Sequence, residues 1–389
     1  MGRTEMAPVR FAVIGTSRIT ERMLGESVFC PGFELAGVYS RSREKGAAFA
    51  GRYSRNGTCR VYGSLQELAD DPGIDAVYVA SPNACHAGQA VRMLESGKNV
   101  LCEKTLASNS REAETMFRAA DAHGVLLTEG MRSIHTPGFR AVEENLVKLG
   151  TIRKARFSYC KYSSRYDAFR QGIPQNIFRT SCSAGALTDL GIYCIEPMVA
   201  LWGKPARILS SSVMLPGMDG EDGADGAGTI LAEYPGMTVE LDYSKISDGY
   251  LPSEIEGEEG TMLIPAIDDV REITIRRRST GTAAPAGADK EQETLRFQEG
   301  EADNLRYEIA DFISAVRASA ARKGQKAGVD RYRPVTLEAI RIADEVRRQC
   351  GIVFPADRDR EQDSTGHTQT PAGQTAPEAE QGACTNEKH

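Results

Sequence analysis

From Val9 to Gly130 the hydrophobic residues fall into short, nearly continuous runs separated by stretches with helical spacing. The runs VRFAVIG, ELAGVYS, DAVYVAS, NVLCEK and VLLTEG read as strands. Between them lie a helix near Ile19 to Cys30, the helical REKGAAFAGRY, CHAGQAVRMLESG and SREAETMFRAADAHG, and the further short unit SLQELAD. Strands that are apolar almost end to end belong to a parallel sheet covered by helices on both faces. The repeated βα alternation predicts a doubly wound α/β fold, which binds ligands beyond the carboxyl ends of its strands.

After a helix predicted from Pro137 to Leu149 the texture changes. TIRKARFSYCKYS, ARILSSSVML, AGTILAEYP, MTVELDYS and REITIRR are longer, often alternating, and divided by turns such as PGMDGEDGADGAG. That pattern predicts a mostly antiparallel sheet. Two helical segments follow, NLRYEIADFISAVRASAA and TLEAIRIADEVRRQ, and the first is expected to pack across this antiparallel region. The predicted organisation is a Rossmann-type unit over 8–130, an α+β unit over 131–355 and a polar tail over 356–389. From Ala356 onward there is no Val, Ile, Leu, Met, Phe, Tyr or Trp, so the tail is expected to be disordered.

Composition narrows the functional classes. A chain of 389 residues, 41% apolar and 26% charged, suits a two-domain globular enzyme. With 47 basic against 54 acidic residues and no basic block, nucleic acid is not an expected partner. The longest apolar strings, such as Ala76 to Ala80, are strand-sized, so no membrane span is expected. The start MGRTEMAPVR lacks the apolar core of a secretory signal, which leaves the cytoplasm as the expected location. Nine singly spaced cysteines without a CxxC pair are expected to be free thiols. Five histidines form no ligand cluster, so no metal is expected.

The first strand runs into Gly15-Thr16-Ser17-Arg18-Ile19-Thr20, where a dinucleotide fold places G-x-G-x-x-G. Only the first glycine is present, and a plain turn remains open for the loop taken alone. Its position at a helix N-terminus in a βαβ series favours a pyrophosphate site, to which Arg18 offers positive charge. At the end of the second strand stand Ser40, Arg41, Ser42 and Arg43, with Lys45 beyond. Arg there suits a ribose 2′-phosphate, whereas Asp or Glu suits the free hydroxyl of NAD. NADP(H) is therefore the expected cofactor, NAD(H) the alternative, and a merely solvated helix start the third reading.

Three segments, SPNACH (Ser81 to His86), NVLCEKT (Asn99 to Thr105) and GALTDLGIY (Gly185 to Tyr193), resemble the glucose-fructose oxidoreductase, inositol dehydrogenase and MocA family. The resemblance extends over nearly all of residues 8–355. It implies a Rossmann domain followed by an open substrate domain, and a homodimer or homotetramer joined through the exposed sheet. The family's E-K-P signature stands here as Glu103-Lys104-Thr105, and loss of the proline is expected to loosen the loop that aims Lys104. Asp189 and Tyr193 match the D-x-x-x-Y branch, which is similar to dihydrodiol dehydrogenase and glucose-fructose oxidoreductase. The resemblance also assigns Ser81, Pro82, Asn83, His86, Glu103 and Lys104 to the cofactor. It places Arg132, His135 and the loop Arg165 to Arg179, with Tyr166, Asn176 and Arg179, along the substrate cleft.

Spacing adds its own argument. On a helix, positions i and i+4 share a face, so Asp189 and Tyr193 point into one space. A phenol titrating near pH 10 is a poor base at neutrality unless a cation favours its ionised form. Lys104 supplies that charge, Tyr193 exchanges the proton, and Asp189 holds Lys104 or a sugar hydroxyl. The expected reaction passes a hydride between nicotinamide C4 and the carbonyl or secondary alcohol of a sugar, polyol or dihydrodiol-like substrate. The alternative is a dinucleotide-binding sensor or partner subunit without turnover.

Overall fold

The computed structural model describes residues 7–54, 57–218, 220–278, 291–297, 303–321 and 331–358. Its first sheet contains β1 (Val9–Ile14), β2 (Phe33–Tyr39), β3 (Arg60–Tyr62), β4 (Ala76–Val79), β5 (Asn99–Glu103) and β6 (Leu127–Gly130) in the order β3-β2-β1-β4-β5-β6. Every pairing is parallel. Helices α1 (Arg18–Ser27), α2 (Arg43–Tyr53), α3 (Leu65–Ala69), α4 (Asn83–Glu95) and α5 (Ser110–His123) connect them. The strand order reverses between β1 and β4, which opens the crevice where such folds bind ligands. Side-chain alternation splits β4 between two cores: Val77 and Val79 pack with α4 and α5, while Ala76 and Tyr78 face α1.

Past β6 come α6 (Arg132–His135) and α7 (Pro137–Asn145), then the long strand β7 (Ile152–Cys160). Helices α8 (Tyr166–Arg170) and α9 (Ile192–Trp202) precede β8 (Arg207–Met214), β9 (Asp225–Tyr234), β10 (Met237–Ser244), β11 (Ser253–Gly257), β12 (Gly260–Ile264), β13 (Glu272–Arg277) and β14 (Gln292–Arg296). The second sheet runs β14-β13-β12-β11-β7-β10-β9-β8, antiparallel throughout except for β7 beside β10. One face is apolar and packed: Val239, Leu241 and Tyr243 of β10 lie in the core with Ile192, Ile195 and Met198 of α9. The opposite face leaves Val213 at 54% and Tyr250 at 90% exposure.

Three expectations change. Helix α10 (Leu305–Ala321) does not cross the second sheet. Leu305, Ile309, Phe312 and Ile313 pack with Phe11, Leu24 and Tyr78, so the chain returns to cover the first sheet. It is α11 (Arg333–Cys350) that joins the two halves, with Ile340 in the first core and Ile342 and Val346 in the second. The segment Thr180–Trp202 is long and apolar enough to cross a membrane, but 78% of its most apolar window is buried inside the fold. Cys182 is disulfide-bonded, because spacing along the chain reports nothing of pairing in space, while Cys30, Cys59, Cys85, Cys102, Cys160, Cys194 and Cys350 are free. The expected disordered tail begins with an ordered turn, where Asp357 takes an ion pair from Arg347 at 2.5 Å. Residues 359–389 lie outside the described residues.

Candidate active site

The carboxyl ends of β1, β2, β4 and β5 bring the expected cofactor residues to one edge of the first sheet. Gly15 turns with φ +102°, and a Cβ there would lie 2.5 Å from the Ala80 carbonyl oxygen. Only glycine fits that turn. Ser17 stands at the N-cap of α1, yet its side chain makes no capping bond, and its buried Oγ has no partner among the described residues. A bare glycine backbone beside an unspent hydroxyl at a helix N-terminus fits a pyrophosphate. Thr16 and Ile19 are half-buried beside it and Arg18 is exposed.

At the end of β2, Ser40 Oγ accepts from the Ser42 N–H at 3.3 Å, and Ser42 Oγ caps α2 by accepting from the Lys45 N–H. Arg43 is paired with Glu67 at 3.0 Å. Arg41 and Lys45 are exposed and carry no ion pair among the described residues, so both remain open to a phosphate. After β4, Ser81 Oγ donates to Gln89 at 2.7 Å, Pro82 leads into α4, and Asn83 Nδ2 donates to the Ser183 carbonyl at 3.2 Å.

Two expected cofactor residues are turned inward. His86 is fully buried, its ring nitrogens 3.0 Å from the Thr105 carbonyl and 2.9 Å from that of Ser81. Burial lowers its pKa and the two carbonyls oppose that; a neutral ring has one N–H, which it can donate to only one of the two loops. Glu103 continues the alternation of β5 onto the α10 side, where Tyr78 donates to its carboxylate. Burial pushes Glu103 above the usual carboxylate range.

Lys104 leaves the end of β5 and donates to Asp189 Oδ1 at 2.6 Å and to the Asp189 main-chain oxygen at 2.9 Å. Its Nζ lies 5.0 Å from the centre of the Tyr193 ring. Asp189 sits in a π-helical turn, Leu187–Gly191, that runs into α9. Such turns occur at functional sites because they re-aim side chains. Thr105 does not loosen the loop: its Oγ1 donates to the Thr188 carbonyl at 2.7 Å, tying it to that same turn.

Arg132 reaches Tyr193 from the other side, donating from Nε to the phenol oxygen at 3.3 Å. Its remaining nitrogens donate to Asp268 at 2.8 Å and Asn304 at 3.0 Å. Tyr159 meets the Tyr193 ring edge-on, centres 5.5 Å apart. Burial raises the Tyr193 pKa, and Lys104 and Arg132 work against that rise. Burial acts to lower Lys104, but Asp189 and Tyr193 outweigh it and the ammonium stays charged. Asp189 is held well below the ordinary carboxylate range by Lys104 and Lys245, which outweigh its burial. The arrangement keeps Tyr193 a neutral acid at neutral pH with two cations ready to stabilise its anion.

The substrate residues divide. Arg132 belongs to the Tyr193 cluster. Tyr166 stacks on Phe169 and meets Phe178 edge-on in a separate aromatic cluster. Arg179 beside it is spent on Glu221, and Asn176 opens the short turn Asn176–Phe178. His135 is buried against Asp311 of α10 at 2.9 Å, so it braces a helix instead of lining a cleft. Sequence reasoning missed Lys245, which donates to Asp189 Oδ2 from just past β10. It also missed Asp268, Asn304, Tyr159 and the buried Glu308, whose carboxylate oxygens have no partner among the described residues. A lysine after a strand and polar residues before a helix carry no signal of their own.

Fold and site together define a nicotinamide-dinucleotide oxidoreductase. Residues 9–131 match the profile of the Gfo/Idh/MocA oxidoreductase family with its NAD-binding Rossmann fold, and residues 145–263 match the Gfo/Idh/MocA C-terminal domain. The chain belongs to this family. It is 39% identical over 350 residues to a scyllo-inositol 2-dehydrogenase (NADP(+)) of Bacillus subtilis, covering 90% of this chain and 99% of that one. It is 28% identical to a trans-1,2-dihydrobenzene-1,2-diol dehydrogenase of Danio rerio, covering 83% and 91%. Among solved structures it resembles a 3-ketoreductase of Actinomadura kijaniata in complex with NADP and TDP-benzene, with TM-score 0.72, 24% identity and coverage of 88% and 98%. The similarity to a levoglucosan dehydrogenase complex with NADH and levoglucosan has TM-score 0.74 at 18% identity, covering 88% and 97%.

Proposed function

We propose that this chain is an NADP(H)-dependent dehydrogenase or reductase of a sugar, polyol or dihydrodiol-like secondary alcohol and its ketone. The observation that carries the reading is Tyr193, buried between the Lys104 ammonium and the Arg132 guanidinium. When bound, the nicotinamide supplies the hydride. Gly15, Thr16, Ser17, Arg18 and Ile19 would hold its pyrophosphate, and Ser40, Arg41 and Lys45 the 2′-phosphate. Tyr193 gives its proton to the substrate oxygen in reduction and takes it back in oxidation. Lys104 and Arg132 stabilise the phenolate left behind. Asp189 fixes Lys104 and keeps 41% of its side chain open to the cleft, where it can accept from a second hydroxyl.

The exposed apolar residues of the second sheet's outer face, Val213, Leu231 and Tyr250 among them, support a homodimer or homotetramer, and the cytoplasm is its proposed location. The test is purified protein with NADPH and a panel of inositols, aldoses, ketoses and trans-dihydrodiols. Oxidation or reduction of the cofactor with one member is the expected result. Tight NADPH binding without turnover across the panel would favour a sensor or partner subunit.

A further inference from the structure

The geometry points to Lys245 as a positioning residue for this reaction: it holds one oxygen of Asp189 so that Lys104 keeps an N–H for Tyr193 and the substrate oxygen. The inference rests on the oxidoreductase reading above. Lys245 follows β10 directly, and its main chain is fixed on both sides. Its N–H donates to the Gly226 carbonyl at 2.8 Å and its carbonyl accepts from the Ser163 N–H at 2.8 Å. Its side chain is 3% exposed, lies 5.5 Å from the Phe178 ring centre and donates to Asp189 Oδ2. Burying an ammonium is costly, and an apolar side chain would fill the space without that cost.

The benefit lies in how the carboxylate is divided. An ammonium has three N–H groups, and Lys104 uses two of them on Asp189, at Oδ1 and at the main-chain oxygen. With Lys245 holding Oδ2, Lys104 cannot take the carboxylate through both oxygens. Its third N–H stays unspent, on an ammonium 5.0 Å from the centre of the Tyr193 ring. Without Lys245, an aspartate 41% open to the cleft is free to swing its second oxygen onto Lys104. Among the described residues, Asp225 of β9 also faces Lys245, and Lys104 shares Asp189 with it. Burial raises the Asp225 carboxyl to about 6, opposed by its bond from the Leu187 N–H and by Lys245.

The test uses Lys245→Met and Lys245→Arg in the full chain. Crystal structures should show the Asp189 carboxylate rotated onto Lys104 in Lys245→Met and unrotated in Lys245→Arg. Turnover should fall about 10- to 100-fold in Lys245→Met, with the dissociation constant of NADPH changed by less than about twofold, and Lys245→Arg should recover most of it. One cation fewer leaves the Tyr193 phenol harder to ionise, so the alkaline limb of the reduction profile should move up by about half a unit. An unrotated Asp189 together with an unmoved limb in Lys245→Met overturns the proposal, whatever happens to its melting temperature. If the wild type turns over nothing in the substrate panel, the dehydrogenase reading fails, and the Asp189 rotation alone then decides the role of Lys245. If Lys245→Met does not fold, Lys245→Gln carries the same measurements.

Discussion

Replacing Tyr193 by Phe removes one oxygen and leaves a ring whose position is already fixed. The edge contact with Tyr159 at 5.5 Å and the Lys104 ammonium at 5.0 Å both involve the ring, not the hydroxyl. Arg132 loses its contact of 3.3 Å to the phenol but keeps Asp268 at 2.8 Å and Asn304 at 3.0 Å, so no buried cation is orphaned. The expected cost in stability is about 1 kcal/mol, the scale of one hydrogen bond. Loss of a general acid costs about 100- to 10,000-fold in rate. At 1.36 kcal/mol per decade, that is about 3 to 5 kcal/mol in the barrier. The rate effect should therefore exceed the stability effect several-fold. The assay follows absorbance of the reduced nicotinamide under saturating substrate, with NADPH affinity measured separately by fluorescence. Turnover within about threefold of wild type would refute the role of Tyr193 as acid, and a parallel loss of NADPH affinity would refute the claim that the phenol acts on substrate alone.

Further outcomes follow from other parts of the site. Arg41→Ala should weaken NADPH by about 1.5 to 3 kcal/mol and leave NADH nearly unchanged, because the exposed guanidinium has no ion pair among the described residues; equal losses for both cofactors would refute its pairing with a 2′-phosphate. Gly15→Ala would need φ +102° and put a Cβ 2.5 Å from the Ala80 carbonyl oxygen, so a melting temperature and NADPH affinity equal to wild type would contradict the turn described here. Asp225, raised by burial to about 6, contributes stability that is full below the unfolded value near 4 and is lost as pH rises through about 6. Asp225→Asn keeps an acceptor for the Leu187 N–H, so its melting temperature relative to wild type should improve between about pH 4 and pH 8. A difference independent of pH would refute that assignment.

The first sheet was legible because its strands are buried on both faces and its helices carry regular apolar spacing, which is a local signal. The second sheet was legible only in part. β11 alternates the inward Ser253 and Ile255 with Glu254 and Glu256, and glutamate is a poor strand former. Its place comes from the ladder, where Glu254 stands opposite Arg156 and Glu256 opposite Lys154 of β7. No window of the sequence contains that pairing. The path of α10 was misjudged for the same reason: an amphipathic helix shows that it covers a core, not which one.

The candidate site divides along the same line. Lys104, Asp189 and Tyr193 stand in runs whose spacing carries meaning, and the fold brings all three together. Lys245, Asp268 and Asn304 come from the end of β10 and from the chain that leads toward β13 and α10, and they reach the cluster only because both sheets deliver their loops to it. The departures from the family signature also change meaning in three dimensions. Thr105 in place of proline looked like a loosened loop, yet its hydroxyl binds the Thr188 carbonyl one residue before Asp189. That bond joins the Lys104 loop to the turn bearing Asp189, a constraint proline cannot supply because it has no hydroxyl to donate. Thr105→Val, which keeps shape and removes the donor, should therefore lower turnover more than it lowers NADPH affinity; the reverse order would show that the hydroxyl serves the cofactor loop and not the catalytic pair.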